Sequence, residues 1–215
     1  MSTPDMPDFS TLVRQAWLSI ASPRDVARWV MGFDMHRRAR WELLLLTVIL
    51  LVVVEVIQFQ LMTDRIAAVF GEALAEAVGQ MTRPFMAAIT IGSLAVMSVF
   101  ATFWIGRAMG GQGDLGDAVV LCAWFLFCLF LLECVKLVMS VALPPFGALL
   151  GIVGFGLFWW LMSNFVAELH GFSSLGMVFL MVLASAAAVL VGLIIFMSII
   201  AALLGFEPPN VTPDV

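Results

Sequence analysis

The chain has 215 residues, of which 63% are apolar and only 12% charged, with a mean hydropathy of +1.10. A soluble domain is nearer about 45–50% apolar and about 25% charged, so this composition requires long apolar runs that only a bilayer solvates, and a water-soluble enzyme is excluded. Ten basic against fifteen acidic residues give a net charge of -5, without the basic cluster that marks a nucleic-acid binder.

Residues 1–42 read as a cytoplasmic amphipathic arm. Phe9, Leu12, Val13, Ala16, Trp17 and Ile20 recur at helical spacing, and Pro23 ends that pattern before a second short helix around Asp25 to Met31. Both helices read either as lying in the inner interface, with Trp17 and Trp29 as headgroup anchors, or as packing on the end of the bundle. The first apolar run starts near residue 43 with no small-residue cleavage pattern before it, so the N-terminus is expected to be retained.

A hydrocarbon core of about 30 Å needs roughly 20 helical residues at about 1.5 Å each. Five runs reach that length, about 43–62, 85–105, 118–140, 146–166 and 177–204, which together define a membrane domain over 43–204. The expected fold is therefore all-α, a polytopic bundle of five transmembrane helices with amphipathic interfacial helices in the N-terminal arm and the first outer loop. In that loop, residues 64–80 place Ile66, Phe70, Leu74, Ala77 and Met81 on one stripe, read as a single lid. The tail, 205–215, contains Pro208, Pro209 and Pro213 and is expected to be extended.

Six of the nine arginines precede the first span, so the positive-inside rule places the N-terminus in the cytoplasm, and five crossings leave the C-terminus periplasmic. The excess of Arg over Lys and the absence of Tyr point to a bacterial source, hence to an inner membrane. Cys122, Cys128 and Cys134 fall six residues apart in one apolar run, roughly 9 Å per step along a helix, beyond disulfide reach. They read as small apolar fillers.

An ionisable side chain inside a span costs about 2.5–3.5 kcal/mol on insertion scales, so each one requires a reason. Glu55 and Glu133 each lie seven residues from the outer end of their spans and hence at one level; Gln58 and Lys136 share their respective helix faces. These four are expected to form one intramembrane cluster. It reads either as an ion pair that selects which helices pack together or as a proton- or cation-responsive site. A shallower set at the inner boundary comprises Arg107, Asn164, Glu168 and His170, with Glu168 expected to pair with Arg107 and His170 a weak metal candidate beside the distant His36.

The loop after the second span contains a formal G-x-G-x-x-G at Gly111, Gly113 and Gly116, but it follows a membrane helix and not a strand, so dinucleotide binding is not supported. Gly110 and Gly111 instead read as a helix stop and Asp114 or Asp117 as a cap. Gly147 and Gly151 in the fourth span, with Ala184, Ala188 and Gly192 in the fifth, suit close packing of those two spans, or a homodimer. No nucleophile, base and metal set is present to support an enzyme, and no cofactor is implied.

The Pro-punctuated arm, the five spans, the stretch from Ile105 through Gly106, Gly110, Gly111 and Gly113 to Ala118, and the His170-Gly-Phe-Ser173 turn resemble the Yip family of Ypt/Rab-GTPase-interacting membrane proteins, in particular its bacterial members. The resemblance covers about residues 10–204. Eukaryotic members act in vesicle budding and membrane shaping and bind Rab GTPases. This chain lacks their Asp-Leu-Tyr-Gly-Pro element and has no Tyr, so GTPase binding is not carried over. The resulting expectation is a non-catalytic protein that organises membrane or assembles with another membrane protein or a second copy, its partners being lipids and proteins. The alternative is a small transporter, channel or scramblase built on the Glu/Lys cluster.

Overall fold

The computed structural model describes residues 7–203, which form eight helices. These are α1 (Phe9–Ala21), α2 (Pro23–Met31), α3 (Arg37–Phe70), α4 (Glu72–Met81), α5 (Pro84–Ala108), α6 (Leu115–Ala142), α7 (Pro144–His170) and α8 (Leu175–Leu203). Four of them, α3, α5, α6 and α7, are long and apolar enough to cross a membrane. The tail 205–215 lies outside the described residues, as do the surroundings of Met81 and Gly192.

Local sequence sets the breaks between helices. Asp8 caps α1, its carboxylate accepting from the Thr11 N–H at 3.1 Å, and Asp114 caps α6, accepting from the Gly116 N–H at 2.7 Å. Proline occupies the first turn of α2, α5 and α7, where its missing N–H removes only a donor that no helix would have used.

The loop after the first apolar run corrects the single lid read over 64–80. The helix that carries this run does not stop near residue 62: α3 runs on to Phe70, the chain breaks at Gly71, and α4 folds back along α3. Gly71 sits at φ 88° and ψ 155°, a region essentially closed to residues with a Cβ. The packing edge of α4 is Ala75, Val78 and Gly79, the last so close to Phe59 that a Cβ there would stand 3.2 Å from the ring. Phe70 and Leu74, two members of the stripe read from spacing, are exposed.

The core is centred on α6, which packs most extensively on α3 and then on α7, while α5 flanks α3 and α6. From Ala118 to Leu126 α6 is buried almost continuously, enclosed by α2, α3, α5 and α7. A second correction concerns the glycines of α7. Gly147 packs on Ser140 and Gly154 on Leu132, both on α6, whereas a Cβ on Gly151 would meet nothing. Among the described residues, the buried contact between α7 and α8 is made by Val166, Ala167, Val178 and Val182.

Candidate functional site

On the seam between α3 and α6, Glu133 and Lys136 are joined side chain to side chain one turn apart. Gln58 reaches them from α3: with its amide nitrogen toward the carboxylate it donates to Glu133 Oε2 at 3.2 Å, and its carbonyl accepts from Lys136 Nζ at 3.2 Å. The two charged side chains are 17% and 18% exposed, which places the pair inside the helix seam. Glu55, one turn deeper on α3, lies within electrostatic reach of both. Toward the far end the seam continues with the Arg65 guanidinium donating to the Ser140 carbonyl at 2.7 Å. Toward the arginine-rich end it closes on the buried apolar side chains Val48, Leu51 and Val52.

The four residues of the shallower set do not come together as one group. Glu168 pairs with Arg28 of α2 at 3.2 Å, not with Arg107; the expected pair fails because the N-terminal arm, absent from a span-by-span count, supplies the nearer cation. Arg107 instead lies over the Phe103 ring, its Cζ 5.4 Å from the centroid. Asn164 turns back onto its own helix, donating to the Trp160 carbonyl at 2.8 Å.

His170 is 4% exposed and joins three elements. Its Nε2 lies 3.0 Å from the Thr102 carbonyl of α5, and its Nδ1 accepts from the Gly113 N–H at 3.2 Å. This pattern fixes the neutral tautomer with Nε2–H donating, and leaves no ring nitrogen open for a metal. Among the described residues no group of three His, Cys, Asp or Glu side chains is arranged to hold an ion. The glycines of the α5–α6 loop are explained by this ring: at Gly106, Gly111 and Gly113 any Cβ would collide with the imidazole. Gly106 is itself buried at the end of α5, and the Gly111 N–H donates to its carbonyl at 2.9 Å. Gly110 has open space around it and turns the chain at φ 90°.

The least expected contacts belong to α1. Ser19, fully buried, accepts from Trp124 Nε1 at 3.1 Å, and the Ile20 carbonyl accepts from Trp160 Nε1 at 3.1 Å. Asp117, paired with Arg40 at 3.6 Å, and Glu168 mark the charged rim of the bundle. Trp124 lies seven residues beyond the first and Trp160 eight before the second, so both anchors sit about 10–12 Å inside that rim at about 1.5 Å per residue. The end of α1 is held at that depth. Its small edge, Ala16 and Ser19, faces the bundle, while Phe9 (67% exposed), Val13 and Trp17 (74%) face outward. Apolar spacing located this helix but not which edge docks. The missed signal is the Ala16–Ser19 pair, since small residues mark where membrane helices approach one another.

Comparison with curated proteins and with solved structures returns no match. The sequence pattern of the Yip1 domain matches residues 17–197, a stretch that takes in α2 through most of α8, the His170 junction and the polar seam. This multi-pass membrane protein belongs to the Yip1 domain family.

Proposed function

We propose that the protein is a non-catalytic organiser of a bacterial inner membrane, acting through α1 as a wedge in one leaflet. In this reading α8 is the fifth crossing, the N-terminus is cytoplasmic and the C-terminus periplasmic. The arginines before α3 support that orientation, and the 29-residue length of α8 supports the crossing. The carrying observation is the outward apolar face of α1 on a helix whose far end is tied 10–12 Å or so below the charged rim. Left in water, Phe9, Val13 and Trp17 would form an exposed apolar patch; in lipid they bury that area. A helix about 10 Å across then fills one leaflet without a counterpart in the other, and that asymmetry favours curved membrane. Partners of this surface are lipids in the first place, and then a second copy or another membrane protein sharing the curved region.

The test is curvature sorting of the full chain in vesicles of mixed diameter. The wild type is expected to concentrate in the smaller vesicles, and F9S/W17S to lose at least half of that preference. Equal sorting of the two proteins contradicts the wedge.

The charged seam favours a second reading, a small transporter, channel or scramblase using Glu55, Glu133 and Lys136. Under it, Lys136→Met changes flux in reconstituted vesicles without loss of stability. Under the organising reading the same change lowers stability, and no flux accompanies either protein.

A further inference from the structure

Among the described residues, α8 leans on α7 and makes no comparable contact with α5. Between the three helices lies a cavity of about 320 Å³, walled by Ala101 and Ile105 of α5, Met162 of α7, and Met181 and Ser185 of α8. A second cavity of about 320 Å³ continues behind α5 to Leu51 and Phe125, and the two share Leu94, Ser98, Thr102 and Phe158 among their walls. Toward the arginine-rich end the first opens through Ile105, Met181 and Ser185 into a surface groove of about 710 Å³ that passes Met109 and Met177.

Lining and length decide what this crevice takes. The walls are mostly apolar, and the Ser185 hydroxyl is already donated to the Met181 carbonyl at 2.7 Å, so the space suits hydrocarbon better than water. Along α5 it runs from Ile105 to Leu94, eleven residues or about 16 Å, close to the roughly 15 Å of hydrocarbon in one leaflet. Methionines from three helices line it or its mouth, and their unbranched side chains conform to a flexible chain.

We propose that the α5–α7–α8 crevice binds one acyl chain of a membrane phospholipid, which enters past Met109 and Met177 and leaves its headgroup at the arginine-rich surface. The site is separate from α1, so it stands or falls independently of the wedge. The probe is phospholipid itself. The full chain is reconstituted in vesicles of phosphatidylglycerol and phosphatidylethanolamine, extracted in mild detergent, washed, and weighed intact by mass spectrometry.

The expected result is one phospholipid retained per chain. Ala101→Trp, from the α5 wall, and Ser185→Phe, from the α8 wall, should each lower the retained fraction at least tenfold while helix content and elution volume stay unchanged. If one variant fails to fold, the other carries the comparison. A wild type that retains no lipid, folded variants that retain as much as the wild type, or a co-purifying polypeptide in place of lipid would each overturn the proposal.

Discussion

At the arginine-rich end of the bundle, inside the charged rim, His170 and Trp160 are matched to backbone: His170 to Thr102 and Gly113, Trp160 to the Ile20 carbonyl, with a loop of glycines against the imidazole. At the far end Gln58, Glu133 and Lys136 meet side chain to side chain on one seam, with Glu55 one turn away, and α6 is no longer enclosed. The difference separates two uses of polarity in a membrane protein. Backbone-matched groups fix a junction of several elements and tolerate no change of shape, because each loss strands a buried donor or acceptor. A side-chain ion pair selects which helices pack, and a well-fitted apolar pair of similar volume can replace it.

Four substitutions probe that contrast, in order of expected effect. Gly106→Val places methyl groups into the His170 ring, with loop backbone on the other side, and should destabilise by more than about 3 kcal/mol or prevent accumulation, read by thermal unfolding in detergent. Lys136→Met leaves Glu133 without its cation at a site less than one-fifth exposed, for a loss of about 3 kcal/mol, whereas the double change E133L/K136M should return to within about 1 kcal/mol of wild type. A double variant as unstable as the single one would place the two ends in the same class. Ser19→Ala strands the Trp124 N–H and should cost about 1–2 kcal/mol, with increased proteolysis of α1 ahead of global unfolding.

The smallest effect is expected at Asp8. The Thr11 side chain, then the Ser10 hydroxyl and the Thr11 N–H, hold its carboxyl below the usual 3.8. A carboxylate favoured in the folded state contributes fully above its ordinary pKa and loses that contribution as pH falls through the lowered value. Protection of the Thr11 and Leu12 amides, taken relative to the intrinsic exchange rate at each pH, should therefore fall only below about pH 4, and Asp8→Ala should show the lowered protection at every pH.

The long helices were legible because twenty-residue apolar runs have few alternatives, and Asp114, one of the two caps read before the third span, does start α6. Composition likewise exposed the few ionisable residues in the spans, although which partners they reach depends on how the helices rotate about their axes. The Arg28–Glu168 pair and the His170 junction were not legible, since they join residues 140 and 57 positions apart through a fold-back of the arm and a turn of loop. The Gly151 position shows the converse: a G-x-x-x-G spacing permits close approach, but among the described residues Gly147 packs on Ser140 while Gly151 is exposed and a Cβ there would meet nothing. The fold-back of α4 turned on one glycine, Gly71, whose backbone angle no periodicity reports.

The central claim is that α1 is sunk into the bilayer with Trp17 toward lipid. Its most direct test is a spin label at Trp17→Cys in a full-length chain freed of Cys122, Cys128 and Cys134, read by collision with oxygen, which concentrates in lipid, and with a water-soluble nickel chelate. Labels at Ile49, on the exposed apolar face of α3, and at Arg38, on the charged rim, calibrate the two limits. The account predicts that position 17 behaves like position 49, with oxygen favoured. A label at 17 that meets nickel as readily as the one at 38 would place α1 in water and contradict it.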